Sequence, residues 1–344
     1  MMSNIVNKNS EILFLYDAVL TNPNGDPDDE NRPRMDIVTR RNLVSDVRLK
    51  RYIRDYLDEI KNKDIFVKKP EGETVNSTKR LIQWYREKFP DKKNLEDKEI
   101  QKELANLAKN SPAKLVKGVR ESCIDVRMFG ATFTIRESER GTGGEGISLT
   151  GAVQFSWGYS LNPVEINPSA SITSHFSSTG EEGHGAIGKD WRVLYSFIAF
   201  YGVIAANWAK DKGGKQFGTG FTWEDVKELE EALIKSIPLI GATRSKVGET
   251  PRLLLRIQYK DHMTLFGDLR EYIKLQPVDK NKDLSAVRKI SEIELDMVEL
   301  SRLLSENKEK IEKIHFWKHE HLHIKNWNPD EVKIENIKFE ESSK

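Results

Sequence analysis

The sequence contains one cysteine, Cys123, among its 344 residues. A single thiol excludes a disulfide framework and a zinc site built from cysteines, and it is typical of proteins kept in a reducing compartment. Residues 1–11 are polar and lack the apolar segment of a secretion signal. The sequence therefore predicts a cytoplasmic protein.

An excess of charge of one sign is also absent. The chain has 55 basic and 54 acidic residues, a formal net charge of +1, which excludes a strongly basic chromatin-type protein and an acidic solvating chain. Long hydrophobic runs are scarce as well. The longest uncharged run, residues 193–209, reaches only the lower edge of a membrane-spanning length. Its large apolar side chains recur at helical spacing, so we interpret residues 191–209 as a buried core helix and expect no membrane contact.

The sequence does contain a recognisable succession of strand and helix patterns. Residues 12–20 are apolar on both faces, which predicts a central strand. The other predicted elements are a helix capped near Thr39 and amphipathic from Leu49, helices around 78–88 and 96–109, strands at 122–135 and 149–159, a loop at 162–190, helices at 191–209 and 222–236, a strand at 253–259, a charged helix at 284–314 and a strand at 331–339. The core order is strand, helix, strand, strand, helix, strand. We therefore predict an α+β fold with a ferredoxin-like (RRM-like) βαββαβ core, a helical insertion and an extended hairpin.

The strongest local anomaly is a basic cluster at residues 32–54, where eight arginines and lysines face two acids, a local charge of +6. Guanidinium groups suit bidentate contacts to phosphate. A second basic group surrounds the predicted strand at 253–259 and includes Arg256 on the side opposite its apolar residues. In a ferredoxin-like topology the first and last strands share one sheet, so both groups could converge on one groove that binds nucleic acid. A solvated helix face is the alternative interpretation.

Two enzyme hypotheses also have residues to support them. His315, His319, His321 and His323 lie close together, and on a strand the last three would share a face and could hold a metal. No cysteine or carboxylate set completes that site, so we interpret it as a surface cluster and predict no metal or cofactor. The acids of residues 26–30 could bind magnesium in a nuclease, although a turn-rich acidic loop is more typical of a solvated segment.

Six segments in order resemble one known family. They are residues 21–36 (TNPNGDPDDENRPRMD), 45–56 (SDVRLKRYIRDY), 125–134 (DVRMFGATFT), 149–164 (LTGAVQFSWGYSLNPV), 171–176 (SITSHF) and 241–257 (GATRS…PRLLLRI). Together they are similar to the backbone subunits of type I CRISPR Cascade, the Cas7 family of the repeat-associated mysterious protein superfamily. The type I-B (Csh-type) branch is the best match. The segments 62–120 and 281–344 match no motif of the family.

The resemblance implies a palm with inserted fingers and a protruding thumb. The implied division is 11–60 for the first half of the palm, 61–120 for the fingers, 121–161 for palm strands, 162–190 for the thumb, 191–280 for the second half of the palm and 281–344 for a C-terminal helix and strand. The implied partners are CRISPR RNA, target DNA paired with that RNA, further copies of the chain and other Cascade subunits of a prokaryotic cytoplasm. Copies would stack along the RNA, and no membrane would be involved.

The resemblance also implies the RNA contacts. The expected RNA-binding residues are Arg32, Arg34, Arg40, Arg41, Arg48, Lys50, Arg51, Arg54, Arg244, Ser245, Lys246 and Arg252, with His175 and Phe176 at the thumb. Asn24 and Gly25 are expected to shape a turn. Type I members are non-catalytic scaffolds, so we expect no enzyme activity. The alternative is a superfamily ribonuclease that processes CRISPR RNA or cuts target RNA, in which Asp36 is the residue positioned to act.

Overall fold

The computed structural model describes residues 4–68, 76–136, 144–173, 187–213 and 217–339. Within these ranges the chain forms eight α-helices and seventeen β-strands. The helices are α1 (Asp46–Glu59), α2 (Ser77–Lys88), α3 (Asp97–Asn110), α4 (Pro112–Ser122), α5 (Ile124–Phe129), α6 (Ala206–Ala209), α7 (Trp223–Ile240) and α8 (Val298–Glu306). The strands are β1 (Ser10–Thr21), β2 (Gly25–Asp26), β3 (Arg32–Pro33), β4 (Leu43–Val44), β5 (Gly130–Arg136), β6 (Gly144–Thr150), β7 (Val153–Phe155), β8 (Gly158–Ser160), β9 (Ser171–Thr173), β10 (Ile187–Lys189), β11 (Val193–Ile204), β12 (Glu249–Tyr259), β13 (Lys274–Pro277), β14 (Ile293–Asp296), β15 (Ile311–Lys318), β16 (Ile324–Lys325) and β17 (Ile334–Asn336).

Strand β1 is the centre of the main sheet, as its apolar sequence predicts. The sheet runs in the order β17-β15-β12-β1-β11-β8-β4, and β7 also pairs with β11. Both long neighbours of β1 are antiparallel to it, with Phe14 opposite Phe200 on one side and Leu254 on the other. This pairing buries almost the whole of β1, because a strand in the middle of a covered sheet has no solvent face.

The two faces of β1 belong to two separate cores. Phe14 and Tyr16 point into a core formed with α1 and α7. Leu13 and Leu15 point into a second core, which contains the apolar side of β12 and the segment from about residue 269 to 322. Successive strand residues point to opposite faces, so one strand supplies both cores.

Helices α2, α3 and α4 form a third core with the hairpin β5–β6. Helices α2 and α3 agree with the patterns at 78–88 and 96–109. Within the described residues, the two strands of the hairpin pair only with each other, and the hairpin packs on these helices. The hairpin is also preceded by helix α5 where a strand was predicted from residue 122.

The predicted core helix at 191–209 is wrong, because the segment is strand β11 and is followed by the single turn α6. The run is apolar at nearly every position, so it satisfies helical spacing and strand alternation equally. Pairing with β1 on one side and with β7 and β8 on the other decides in favour of a strand. Among the described residues, no helix is long and apolar enough to cross a membrane.

Two further predictions are corrected. Residues 284–314 do not form one helix, since only α8 is α-helical there, and strands β14 and β15 occupy the flanks. The first long helix is capped by Ser45, whose side chain accepts from the Arg48 N–H, and Thr39 lies in the preceding loop. The strand predicted at 331–339 is present as β17, and the helix at 222–236 is present as α7.

Candidate nucleic-acid interface

The segment between β1 and α1 is a loop held in shape by its own polar groups. Arg34 Nη1 donates to Asp26 Oδ2 at 2.9 Å, across the short β2–β3 pair. Asn24 Oδ1 accepts from the Ser45 N–H at 2.8 Å and so joins the loop to the helix cap. A Cβ on Gly25 would lie 2.1 Å from Asn31 Oδ1, which requires glycine at this turn. The expectation that Asn24 and Gly25 shape a turn agrees with these contacts.

The late basic loop, residues 241–248, lies directly against this early loop. The Asn22 N–H donates to the Ser245 carbonyl at 2.9 Å, and Lys246 Nζ donates to the Pro23 carbonyl at 2.9 Å. The reason is topological, because the end of β1 lies beside the start of the antiparallel β12, with Ala18 opposite Glu249. The structure therefore brings together the two basic groups that the sequence separates by about two hundred residues.

A third segment, residues 187–192, also contributes to this surface. The sequence analysis did not predict a role for it. Arg192 donates to the carbonyls of Leu20 at 2.7 Å and Arg244 at 3.1 Å, so it ties the early loop to the late loop. The guanidinium of Arg32 lies 4.2 Å above the ring of Trp191. The available signal was the run Lys189-Asp190-Trp191-Arg192, in which an aromatic residue sits among charges.

Four of the expected contact residues present their guanidinium groups to solvent. They are Arg32, Arg40, Arg51 and Arg244. The exposed fraction of the side chain is 67% for Arg244, although one nitrogen contacts Asp190 at 3.1 Å. Arg41 is half-buried with its guanidinium 4.9 Å from the Tyr159 ring. Arg40 also contacts Glu165 at 3.4 Å, and Arg51 contacts Asp55 at 2.7 Å. Each guanidinium still has further N–H donors that can meet phosphate oxygens.

Other expected contact residues are occupied by protein partners. Lys50 Nζ contacts Asp46 at 2.9 Å and Arg54 Nε contacts Asp125 at 3.0 Å. Arg252 is buried, and its Nε donates to the buried Asp17 at 2.8 Å. These three side chains hold the elements in place, because a buried charge needs a partner.

Arg48 and Lys246 lie over a buried acid. The Arg48 guanidinium is 3.9 Å from the Tyr52 ring, and the Tyr52 hydroxyl donates to Glu249 at 2.9 Å. Burial raises the pKa of the Glu249 carboxyl above its ordinary value and lowers the pKa of Lys246. The cluster lies beneath the two loops, and burial disfavours the charged form of both Glu249 and Lys246.

Asp36 closes a tight turn in the exposed loop. Its two carboxylate oxygens accept from the Val38 N–H at 3.0 Å and from the Thr39 hydroxyl. The Thr39 hydrogen bond, with that of Val38, lowers the pKa of Asp36. An ionised carboxylate with both oxygens bonded is typical of a structural turn.

The C-terminal histidines are not arranged around one point. His315 is on β15, where burial and the nearby Arg256 lower its pKa to about 3. His319 Nδ1 lies 3.2 Å from Arg252 Nη1 and accepts from the His321 N–H, and burial and Arg252 lower its pKa. In the ranges that the structure describes, no group of three or more histidines, cysteines or acids is placed to hold a metal ion. His175 and Phe176, expected at the thumb, lie outside those ranges.

The fold is α+β, and its convergent basic loops form a surface suited to a polyanion. Comparison with known proteins gives the family. Residues 8–298 match the family of CRISPR-associated protein Cas7. A CRISPR-associated protein Cas7 of Haloferax volcanii is 31% identical over 317 residues, which cover 89% of this chain and 85% of that protein. This chain belongs to the Cas7 family.

A structural comparison agrees at the level of the fold. One chain of a solved "CRISPR RNA-guided surveillance complex, pre-nicking" superposes with a TM-score of 0.51 at 14% identity. The match covers 93% of this chain and 97% of that one. The resemblance found in the six sequence segments is confirmed at the family level.

Proposed function

We propose that this chain is a non-catalytic scaffold that binds CRISPR RNA in a Cascade complex of the prokaryotic cytoplasm. Copies would polymerise along the RNA beside other Cascade subunits and leave the spacer bases free to pair with target DNA. The observation that carries the proposal is the convergence of residues 22–44, 187–192 and 241–248, which brings exposed arginines from distant parts of the sequence onto one surface. Contacts of this kind hold a nucleic-acid backbone without reading its sequence.

The proposed palm is a ferredoxin-like core. Four antiparallel strands in the order β12-β1-β11-β8 support it, with α1 and α7 packed on one face. The thumb would be the segment 162–190, with His175 and Phe176 near the next copy.

The proposed phosphate contacts fall on the exposed residues. Arg32, Arg40, Arg51 and Arg244 would touch the RNA, and Arg34, Arg41 and Ser245 would line the same groove. Arg48, Lys50, Arg54, Lys246 and Arg252 would act by positioning these loops. Arginine suits the role because its planar fork meets phosphate oxygens in pairs.

The test is a double charge reversal, Arg32→Glu with Arg244→Glu, in the full chain. The RNA-loaded complex should lose affinity to the same extent for two guide RNAs with unrelated spacers. The matched control is Lys98→Glu with Lys102→Glu, which makes the same charge change on exposed positions of α3 and should leave binding unchanged. Loss for one spacer only, or no loss at all, would contradict the proposal.

A further inference from the structure

A second surface with the chemistry of a nucleotide site lies away from the palm loops. It is an open cleft of about 240 Å³ between strand β6 and the segment that follows β11. Its lining residues are Ser148, Thr150, Asn207, Trp208, Lys210, Lys212 and Phe217. We name it the Trp208 cleft.

Trp208 supplies an aromatic platform at this cleft. The residue is 41% exposed, so part of its ring is accessible at the cleft. The Lys212 ammonium lies 4.4 Å from the ring centroid. A cation can take this position only if the ring face is open, and a stacked base could occupy the same face.

The two lysines of the cleft have no acidic partner in the part of the chain that the structure describes. Among the described residues, neither Lys210 nor Lys212 forms an ion pair. The neighbouring acid, Asp211, is instead held by both terminal nitrogens of Arg120, at 2.8 and 3.0 Å. Hydrogen bonds from Arg120 lower the pKa of Asp211. The acid stays ionised but is turned to α4, so the two ammonium groups remain available for phosphate.

Strand β6 provides the hydroxyl side of the cleft. Ser148 and Thr150 are both exposed and alternate with the buried Leu149, so they lie on one face of the strand. The backbone directly after β6 packs closely against Phe129. A Cβ on Gly151 would lie only 2.2 Å from the Phe129 carbonyl carbon. Phe129 in turn lies under the guanidinium of Arg54. The cleft is therefore fixed to the helix that carries the basic cluster.

We propose that the Trp208 cleft binds one nucleotide unit of a single-stranded nucleic acid. The base stacks on Trp208 and displaces Lys212, which then joins Lys210 at the phosphate, while the hydroxyls of β6 meet the sugar or the base edge. A cleft of this size is below the roughly 300–1,000 Å³ that encloses whole small ligands, so a single unit of a longer strand suits it. The inference rests on the proposed function only in that the complex contains nucleic acid.

Two strands of the complex could supply this nucleotide, the guide RNA and the target DNA. The assembled RNA-loaded complex is prepared with 5-iodouridine in the guide, and separately with 5-iododeoxyuridine in the target strand. Light-induced crosslinks are then mapped on the protein. A crosslink at Trp208 with either strand supports the proposal and identifies the source, and no crosslink at Trp208 with either strand overturns it.

The affinity of the complex for the crosslinked strand then measures how much Trp208 and the two lysines contribute to binding. Trp208→Ala should weaken it by about five-fold to 150-fold, the range for one stacked base, whereas Trp208→Phe should retain most of the affinity. Lys210→Gln with Lys212→Gln should reduce the salt dependence of binding by about 1.4 in log–log slope. Lys98→Gln with Lys102→Gln is the matched control, and thermal unfolding of each variant checks folding.

The palm variant, Arg32→Glu with Arg244→Glu, separates the two proposals. If the palm variant loses affinity for the labelled strand and the cleft variants do not, only the cleft proposal is overturned. Loss with the cleft variants and none with the palm variant overturns the palm contacts and supports the cleft. Equal affinity for wild type and both sets overturns both.

Discussion

Arg54 of α1 and Asp125 of α5 form an ion pair of 3.0 Å, in which the acid is fully buried. Asp125 also accepts the N–H groups of Phe66 at 2.8 Å and Val67 at 3.0 Å. One carboxylate therefore joins helix α1, the segment at Phe66 and Val67, and the helix before the hairpin β5–β6. Arg54, which is also one of the expected RNA contacts, therefore connects two cores.

Replacement of Asp125 with Ala should strongly destabilise the protein. The change leaves Arg54 and two backbone donors without their acceptor, and loss of one partner from a buried ion pair costs about 3–5 kcal/mol. The free energy of unfolding from urea titration checks this value. Asp55→Ala is the control, because its ion pair with Arg51 is at the surface and should cost less than about 1 kcal/mol. Equal effects would mean that Asp125 does not hold the two cores together.

Gly130 should tolerate no side chain. Its φ is +74°, and a Cβ there would lie 2.0 Å from the Leu149 carbonyl oxygen, so Gly130→Ala adds backbone strain to a clash. We expect a loss of more than about 3 kcal/mol in stability, measured by urea unfolding. Gly146→Ala on the same hairpin is the control, since no described atom beyond its chain neighbours lies within 4 Å of a Cβ added there. A Gly130→Ala variant as stable as the control would contradict the close approach of Gly130 to β6.

Glu231 should make the contact between α1 and α7 sensitive to acid. Burial opposes its ionisation, but hydrogen bonds from Lys235, Lys61 and Tyr56 outweigh burial and lower its pKa to about 2. Because the folded-state pKa lies below the ordinary 4.5, the ionised carboxylate stabilises the fold above pH 4.5 and loses this effect as the pH falls toward 2.

Glu231→Gln should therefore cost roughly 1–2 kcal/mol at pH 7, after allowance for partial exposure, and progressively less below about pH 4.5. Urea titrations at several pH values measure the difference from wild type. Glu59→Gln, an exposed change at the end of α1, should show no such trend. A constant difference between pH 7 and pH 3 would mean that the Glu231 charge is not responsible.

The slope of RNA affinity against salt concentration should reflect the number of exposed arginines that contact phosphate. Each phosphate neutralised on a single strand contributes about −0.7 to the log–log slope, so four contacts per subunit predict about −2.8. Arg244→Gln should make the slope less steep by about 0.7, and Lys98→Gln should not change it. A slope near zero for the wild type would exclude the basic loops as the RNA contact.

The sequence predicted the central strand of the fold, but it did not predict the buried ion pairs that hold the basic residues in place. The apolar pattern of β1 predicted a central strand, and antiparallel pairing of the first and last core strands explains why the two basic groups meet. The same reasoning could not foresee that Arg252 pairs with Asp17, because those residues are 235 positions apart and only tertiary packing brings them together.

The failures at β11 and at the third segment have different physical causes. A uniformly apolar run carries no period, so local pattern could not separate the strand Val193–Ile204 from a helix. The role of Arg192 depends on two carbonyls contributed by distant loops. The sequence identifies Arg192 as a charged residue, but it does not show which backbone carbonyls the side chain will contact.

The assembled complex should not cleave complementary RNA in the presence of magnesium. The family resemblance suggests Asp36 as the acid for such a role, but its lowered pKa makes it a weak base near neutral pH, and both of its oxygens hold the turn at Val38 and Thr39. Incubation with labelled RNA should give no product for the wild type and for Asp36→Ala alike. Asp29→Ala, an exposed acid of the same loop, is the control. Magnesium-dependent product that disappears in Asp36→Ala but persists in Asp29→Ala would contradict the scaffold proposal and favour a ribonuclease.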